Sequence, residues 1–457
     1  MVYDKSTYLT GRLVEAMDNS HIRTTLRNAA ARCAIALVLA LLGDGCSGLG
    51  TGAPGGHPSP TPPPQSKIKH IVIIVQENRT VDDLFNGFPG ADTVTTGRTH
   101  RGKVVTLAPV SLMNTSDVCH THACWMAAYD NGKMDGFDTI NGGNQDKTFN
   151  YATVPQSETQ PIWALASSYT FGDRMFQSNT GPSFPAHLYL IGGESALAYE
   201  NPHLAQRSGI WGCTAPPDTV VPLLTKPPTQ VYPCFDFPSM ADTLDQAGVS
   251  WRYYAVNLGK PGANWSAYQA IRHIHFGRDW SNDVISPETR VLTDVAAGQL
   301  AQVTWVTPSK LNSDHAGSGS ATGPQWVASI VNAIGNSSFW NSTAIFVVWD
   351  DWGGWYDHVA PQQLDRMGLG FRVPFIVISP YAKHGYVSHV QHEFGSILKF
   401  TELTFGLPSL NQTDARADDL SDCFDFSQGV SPFASVSGVP PATYFTSQLP
   451  DYQPPDD

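Results

Sequence analysis

The sequence predicts an α/β protein with a mostly parallel central sheet and helices on both faces. Three observations carry this. Short runs dense in Val, Ile and Phe, at Ile71–Val75, Val303–Val306, Thr343–Trp349 and Val373–Ser379, lack polar alternation and read as strands buried on both faces. Between them lie stretches with helical spacing, clearest in Pro324–Gly335, where Val327, Ile330, Val331 and Ile334 share one helix face. Strands that alternate with helices are joined by crossovers, and crossovers produce parallel pairing.

With 457 residues, 41% of them hydrophobic, the chain can bury a large core and suffices for one large domain or two modest ones. Its formal net charge is −13. Residues 1–46 hold five Lys and Arg against four Asp and Glu, so the remainder stands at −14. No basic run occurs, which argues against nucleic acid as a partner, because that affinity comes from clustered Lys and Arg. The 34 prolines, 40 glycines and 12 tryptophans fit a loop-rich extracytoplasmic enzyme better than a helical bundle.

Four segments follow in order. Residues 1–46 read as an export signal: Arg23, Arg27 and Arg32 precede the apolar core Ala34–Leu42, which is too short to span a bilayer of ~30 Å. Met17 is an alternative start. Gly43-Asp44-Gly45-Cys46 resembles a bacterial lipoprotein cleavage site, although Asp44 fits it poorly. A lipid anchor on Cys46, the one route to a membrane, and plain secretion are both open, and either places the protein outside the cytoplasm, secreted, periplasmic or at the cell envelope. Residues 47–66, almost all Gly, Pro and Ser, read as a solvated tether. Residues 67–430 read as the catalytic domain and 431–457 as a C-terminal tail.

Within the domain, the strand from His70 runs into Gln76-Glu77-Asn78-Arg79. Thr80–Phe85 reads as a helical turn, with Asp82 and Asp83 near its start, where the dipole favours acids. Residues 86–118 read as loop and Trp163–Ser168 as a short helix. Ser183 lies between Gly181-Pro182 and Pro185, with Pro185 opening a helix over Ala186–Ile191. Met240–Ala247 and Phe394–Phe405 read as helices and Ser250–Val256 as a strand. Of seven cysteines, Cys213 and Cys234 are the favoured disulfide because they close a local loop. Cys119 with Cys124 is a tight second pair, and Cys423 is left over. None has the paired spacing of a zinc site.

The residues able to do chemistry sit where two strands end. Glu77 and Asn78 follow the first strand, and Asp350 and Asp351 follow Thr343–Trp349. In open α/β sheets the working residues lie just beyond the carboxyl ends of strands. Three carboxylates and an amide suit one divalent cation of the Ca, Mg or Mn class, and adjacent residues at a strand end can both turn toward one ion because the pleat breaks there. Ser183 is the candidate nucleophile. Its hydroxyl is weak at neutral pH and needs a base or a metal, and a helix starting behind it adds dipole for charge developing on a phosphoryl oxygen. Thr180 competes for the role. Among 15 histidines, His120, His315 and His358 sit in polar clusters and are the candidates for proton transfer or phosphate contact, with His273 and His275 weaker. His122, His187, His384, His389 and His392 receive no role.

Five motifs stand in a fixed order: Glu77-Asn78-Arg79-Thr80-x-Asp82 after a strand; His120 fifteen residues before Asp135 in Asn-Gly-Lys-Met-Asp-Gly-Phe; Gly181-Pro182-Ser183-x-Pro185; Ser313-Asp314-His315; and Trp349-Asp350-Asp351 with Tyr356-Asp357-His358-Val359. This series, from about residue 67 to 400, resembles the bacterial phospholipase C and acid phosphatase family of phosphoesterases. The resemblance implies an alkaline-phosphatase-like α/β fold, one metal at Glu77, Asn78, Asp350 and Asp351, Ser183 as nucleophile, and His120 and His315 beside it. Two departures stand out. Ala186-His187 occupy the place where many relatives have Asn-Arg, and only 52 residues follow Phe405, where larger phospholipase C members carry β-rich extensions. The second tilts the expectation toward a compact phosphatase-like form without excluding lipids.

The expectation is an exported, metal-dependent phosphoric ester hydrolase that acts on a phosphate ester or phospholipid through a phosphoserine, its oligomeric state open. Two competitors remain. One is a sulfatase, since Ser183-Phe-Pro-Ala-His187 resembles that group's Cys or Ser, any, Pro, any, Arg signature with His in the place of Arg. The other is a surface phosphate or lipid binder that keeps the metal and needs no nucleophile.

Overall fold

Strand β1 (His70–Gln76) lies at the middle of the fold, and the β-branched run within it is buried on both faces. The computed structural model describes residues 67–142, 146–204, 207–208, 211–256 and 265–449. The export signal, Cys46, the tether and residues 450–457 of the tail lie outside the described residues.

Nine strands form the sheet: β1, β2 (Thr170–Phe176), β3 (Trp251–Tyr254), β4 (Val284–Ile285), β5 (Val303–Val306), β6 (Thr343–Trp349), β7 (Arg372–Ile378), β8 (Tyr386–Ser388) and β9 (His392–Glu393). Their order is β4-β3-β5-β1-β6-β7-β2-β8, with β9 also alongside β2. Every pairing is parallel except those of β7, which runs antiparallel to β6 and β2. The mostly parallel expectation holds, with one reversal that has a physical reason. Residues 350–371 contain no helix to carry the chain across the sheet, so β7 starts at the edge where β6 stopped.

Side chains alternate across β6 to meet a helical layer on each face. Phe346 meets Phe400 edge-on, whereas Trp349, three residues on, meets Phe85. Phe400 belongs to a layer made by α4 (Ser183–Gly192), α5 (Met240–Ala247), α8 (Phe394–Phe405) and α9 (Gln412–Arg416). The other layer holds α3 (Gln156–Ser168), α6 (Arg290–Ala296), α7 (Gly323–Gly335) and α10 (Ala442–Thr446). Phe85 stacks on Trp163 of α3. The remaining helices used below are α1 (Val81–Leu84) and α2 (His122–Tyr129). Residues of the tail pack on the domain: Phe445 of α10 is fully buried against Trp326.

Several elements differ from expectation. The segment 86–118 contains an antiparallel ribbon, Thr96–Arg98 with Val104–Thr106, rather than loop alone. Helix α3 begins at Gln156 instead of Trp163, and α4 begins at Ser183 instead of Pro185. A proline lacks the N–H that a first helical turn leaves unused, so Pro185 fits its third position as well as its first. Strand β2 was not anticipated, because Gly172-Asp173-Arg174 interrupt its apolar run. Both disulfides form, Cys213–Cys234 and Cys119–Cys124, and Cys423 is free and buried.

A buried charge network ties β7 to α1 and to the loop after β6. The Arg372 guanidinium donates to both carboxylate oxygens of Asp357 at 3.0 Å and to the carbonyls of Asp92 and Asp173, also at 3.0 Å. Asp82 of α1 accepts from the backbone N–H and the Nδ1 of His358, at 2.8 and 2.6 Å. Burial works against the charged His358 ring, but the Asp82 hydrogen bond and the Asp82 and Asp357 charges outweigh it and raise its pKa. Arg372→Met should cost about 3–5 kcal/mol in urea unfolding, because it strands a buried carboxylate. A loss below about 1 kcal/mol would mean that Asp357 is neutral. The stability that His358 adds is complete below its unfolded pKa of about 6.5 and fades as the pH rises through the raised folded value. His358→Gln should therefore be more destabilising at about pH 5 than at about pH 9, and equal losses at both would refute a charged ring.

Candidate active site

The site begins with register. β1 and β6 are parallel neighbours with Gln76 opposite Trp349, so Glu77-Asn78 and Asp350-Asp351 leave the sheet side by side. The Asp350 N–H donates to the Gln76 carbonyl at 2.9 Å, and the Asn78 N–H donates to Asp350 Oδ1 at 3.0 Å. Asn78 turns out of the strand in the left-handed region, φ 63°, which asparagine tolerates better than most residues. Gly353, φ 61°, lets the turn after β6 lie on this backbone, since a Cβ there would sit 2.2 Å from the Asn78 carbonyl oxygen. Its N–H fixes Asp351 through Oδ1 at 2.7 Å. Glu77, Asn78, Asp350 and Asp351 are all fully buried.

β2 runs parallel to β1, so it delivers Ser183 to the same edge of the sheet. Between strand and helix, the Gln177 side chain donates to Asn179 Oδ1 at 3.1 Å and to the Gly181 carbonyl, which holds the loop in shape. Ser183, the first residue of α4, donates from Oγ to Asp351 Oδ2 at 3.0 Å and lies 3.5 Å from Asn78 Nδ2. The Thr180 hydroxyl instead pairs with His122 Nδ1 at 2.9 Å. Of the two competitors, Ser183 is the hydroxyl bonded to the acidic group. One helical turn beyond it, His187 places Nε2 3.0 Å from Glu77 Oε1 and 3.5 Å from Asp350 Oδ2. Sequence reading gave His187 no role. The signal was its four-residue spacing from Ser183, which becomes a shared helix face only once α4 is known to start at Ser183.

His120 and His315 also reach the group. His120 Nδ1 donates to the Val118 carbonyl at 2.7 Å, its Nε2 lies 3.1 Å from Asn78 Nδ2, and its ring meets that of His315 edge-on at 5.8 Å. His315 stacks against Trp265. Its loop is clamped by Gln76, whose amide accepts from the Asp314 N–H at 3.0 Å and donates to the Asn312 carbonyl at 3.2 Å. Burial pushes the Asp314 carboxyl up to about 7 against the pull of Arg79, and Trp349 Nε1 donates to its Oδ2 at 3.1 Å. The exception among the candidates is His358. It bonds to Asp82 and Asp92 in the Arg372 network rather than to the residues around Ser183.

The donor set fits a divalent cation. Asp350 Oδ2 is buried and accepts no hydrogen bond. The Asn78 amide has two settings. With its nitrogen toward His120, its oxygen faces Glu77 Oε2 at 3.1 Å and Asp350 Oδ1 at 3.3 Å, a convergence of oxygens that a cation would resolve. Turned over, the amide donates to both acids and accepts from His120 Nε2. His120 would then have to be an imidazolium, because its Nδ1 already donates to Val118. The second cluster of potential ligands, Asp82, Asp357 and His358, already holds the Arg372 guanidinium.

The family model described as Phosphoesterase family matches residues 68–408. The chain is 28% identical to Phospholipase C B of Mycobacterium tuberculosis, over 82% of this chain and 80% of that protein. It is 25% identical to the Non-hemolytic phospholipase C of Pseudomonas aeruginosa, over 79% of this chain and 57% of that protein. Among solved structures, it matches a protein in the alkaline phosphatase superfamily from Vibrio parahaemolyticus over 76% of this chain and 70% of that one, with 10% identity and a TM-score of 0.37. The chain belongs to the Phosphoesterase family and is a hydrolase of phosphoric ester bonds.

Proposed function

We propose that the chain cleaves phosphoric esters, phospholipid diesters foremost, through Ser183 and with one divalent cation, after export from the cytoplasm. The observation that carries the reading is the 3.0 Å hydrogen bond from Ser183 Oγ to Asp351 Oδ2 at the mouth of α4. A serine so held has a carboxylate to take its proton and a helix N-terminus facing the charge that builds on the phosphoryl oxygens. The cation, held by Glu77, Asn78, Asp350 and Asp351, would supply positive charge that favours the serine alkoxide and neutralises the phosphoryl group.

The chain's own groups account for the remaining steps. Ser183 Oγ bonds to phosphorus as the bond from phosphorus to the alcohol oxygen breaks, and its proton passes to Asp351. A proton from one of the paired rings of His120 and His315 goes to the leaving oxygen. The same ring, now neutral, takes a proton from the water that attacks phosphorus as the bond to Ser183 Oγ breaks, and Asp351 returns its proton to that oxygen. Gln76 and Trp265 keep the His315 loop where that exchange requires it.

Two findings support a phospholipid substrate. Both relatives named above are phospholipases C, and the Mycobacterium protein is matched over 80% of its own length. The basic and apolar stretch at residues 21–42 supports export, with Cys46 as a site for a lipid anchor.

With p-nitrophenyl phosphate as substrate, Ser183→Ala should lower kcat about 10³-fold or more, whereas Thr180→Val should retain most of it. A chelator should abolish wild-type turnover and an added divalent cation restore it. Full metal-dependent turnover in Ser183→Ala would remove the serine from the mechanism. On phosphatidylcholine vesicles the protein should release phosphocholine and diacylglycerol. Turnover of the soluble monoester with no headgroup release would place the activity among phosphatases instead.

A further inference from the structure

The sequence points to an all-oxygen cation site, whereas the structure sets a ring nitrogen beside those oxygens. His187 is 1% exposed, stands one turn along α4 from Ser183 and directs Nε2 at the ends of β1 and β6. Its distances, 3.0 Å to Glu77 Oε1 and 3.5 Å to Asp350 Oδ2, match the spacing of neighbouring donors around one ion. With metal–ligand bonds of about 2.1 Å, such donors stand roughly 3.0–3.5 Å apart. A plain hydrogen bond from His187 to Glu77 would account for only the shorter of the two. It would leave Asp350 Oδ2 buried without a hydrogen bond, as it is here, whereas an ion among the three donors satisfies all of them.

We propose that His187 is a direct ligand of the cation, and that the resulting mixed oxygen and nitrogen set makes this site select first-row transition ions such as Mn, Co or Zn over Mg and Ca. The proposal rests on the metal-dependent reading above and adds the ligand and the selectivity. Imidazole is a borderline donor that contributes little to Ca or Mg and much to later divalent ions, so one such ligand among carboxylates tilts the preference without a change in net charge. The consequence follows from a histidine at position 187, four residues after the serine.

The test uses the purified chain, stripped with chelator and titrated with Mn, Co, Mg and Ca by calorimetry. Pulsed electron paramagnetic resonance of the Mn-loaded protein then reads nitrogen bound to the ion. The wild type should show one directly bound imidazole nitrogen and bind Mn or Co at least about 100-fold more tightly than Mg or Ca. His187→Asn should lose that nitrogen signal, weaken Mn binding about 10- to 100-fold and narrow the preference, while His120→Asn keeps the signal. The wild-type spectrum stands as evidence even if His187→Asn fails to fold. A wild-type protein that binds Mn with no coordinated nitrogen, or a His187→Asn protein with unchanged affinity and preference, overturns the proposal and leaves the metal-dependent reading in place. A wild-type protein that binds no divalent cation overturns both.

Discussion

Three carboxylates, Glu77, Asp350 and Asp351, are buried together at the ends of two adjacent parallel strands, and the rest of the structure is arranged around that difficulty. Negative charge in a low-dielectric interior has to be met by hydrogen bonds, by protons or by a counter-charge. The fold meets part of the demand with the N–H groups of Asn78 and Gly353, the Ser183 hydroxyl and the His187 ring. Nearby it solves the same problem differently. Around Asp82 and Asp357 the chain supplies its own cation, Arg372, and the resulting cluster is structural. At Asp350, by contrast, the only ion pair among the described residues is the long one to His187. The contrast between these neighbouring acidic clusters separates scaffold from site.

Much of this was legible in the residues, and where it was not the reason is physical. β1, β5, β6 and α7 announce themselves through uninterrupted apolar runs or a single apolar helix face. β2 does not, since Gly172-Asp173-Arg174 break its run, and Asp173 is buried for tertiary reasons: it accepts from the Asp92 backbone and from His389. The direction of β7 is invisible in composition, because an antiparallel strand and a parallel one can have the same side chains. Glu77, Asn78, Asp350, Asp351, Ser183, His120 and His315, chosen from local context, are brought together. His358 is not, because the turn through Gly353-Gly354 carries the chain away and Asp82 captures its ring. His187 was passed over because its meaning depends on which residue starts α4.

The histidines show how far local chemistry underdetermines role. His120 and His358 each hydrogen-bond through Nδ1, yet one does so to a carbonyl and keeps its other nitrogen facing the site, while the other is committed to a carboxylate. In sequence both stand in polar, motif-like surroundings. Only their partners, drawn from distant segments, separate a ring that faces the buried acids from one bound into the Arg372 network.

The Gln76 clamp has a consequence for how the molecule comes into being. Its bond to the Asp314 backbone spans 238 residues, and the strands on either side of β1 come from the 300s and 340s of the chain. The segment carrying Glu77 and Asn78 is synthesised early but has nothing to align it until β5 and β6 arrive. Contacts so remote in sequence close slowly, because the loop entropy is lost before the contacts repay it. The reactive edge is therefore assembled by the same late event that closes the centre of the sheet, and a partly folded chain has neither.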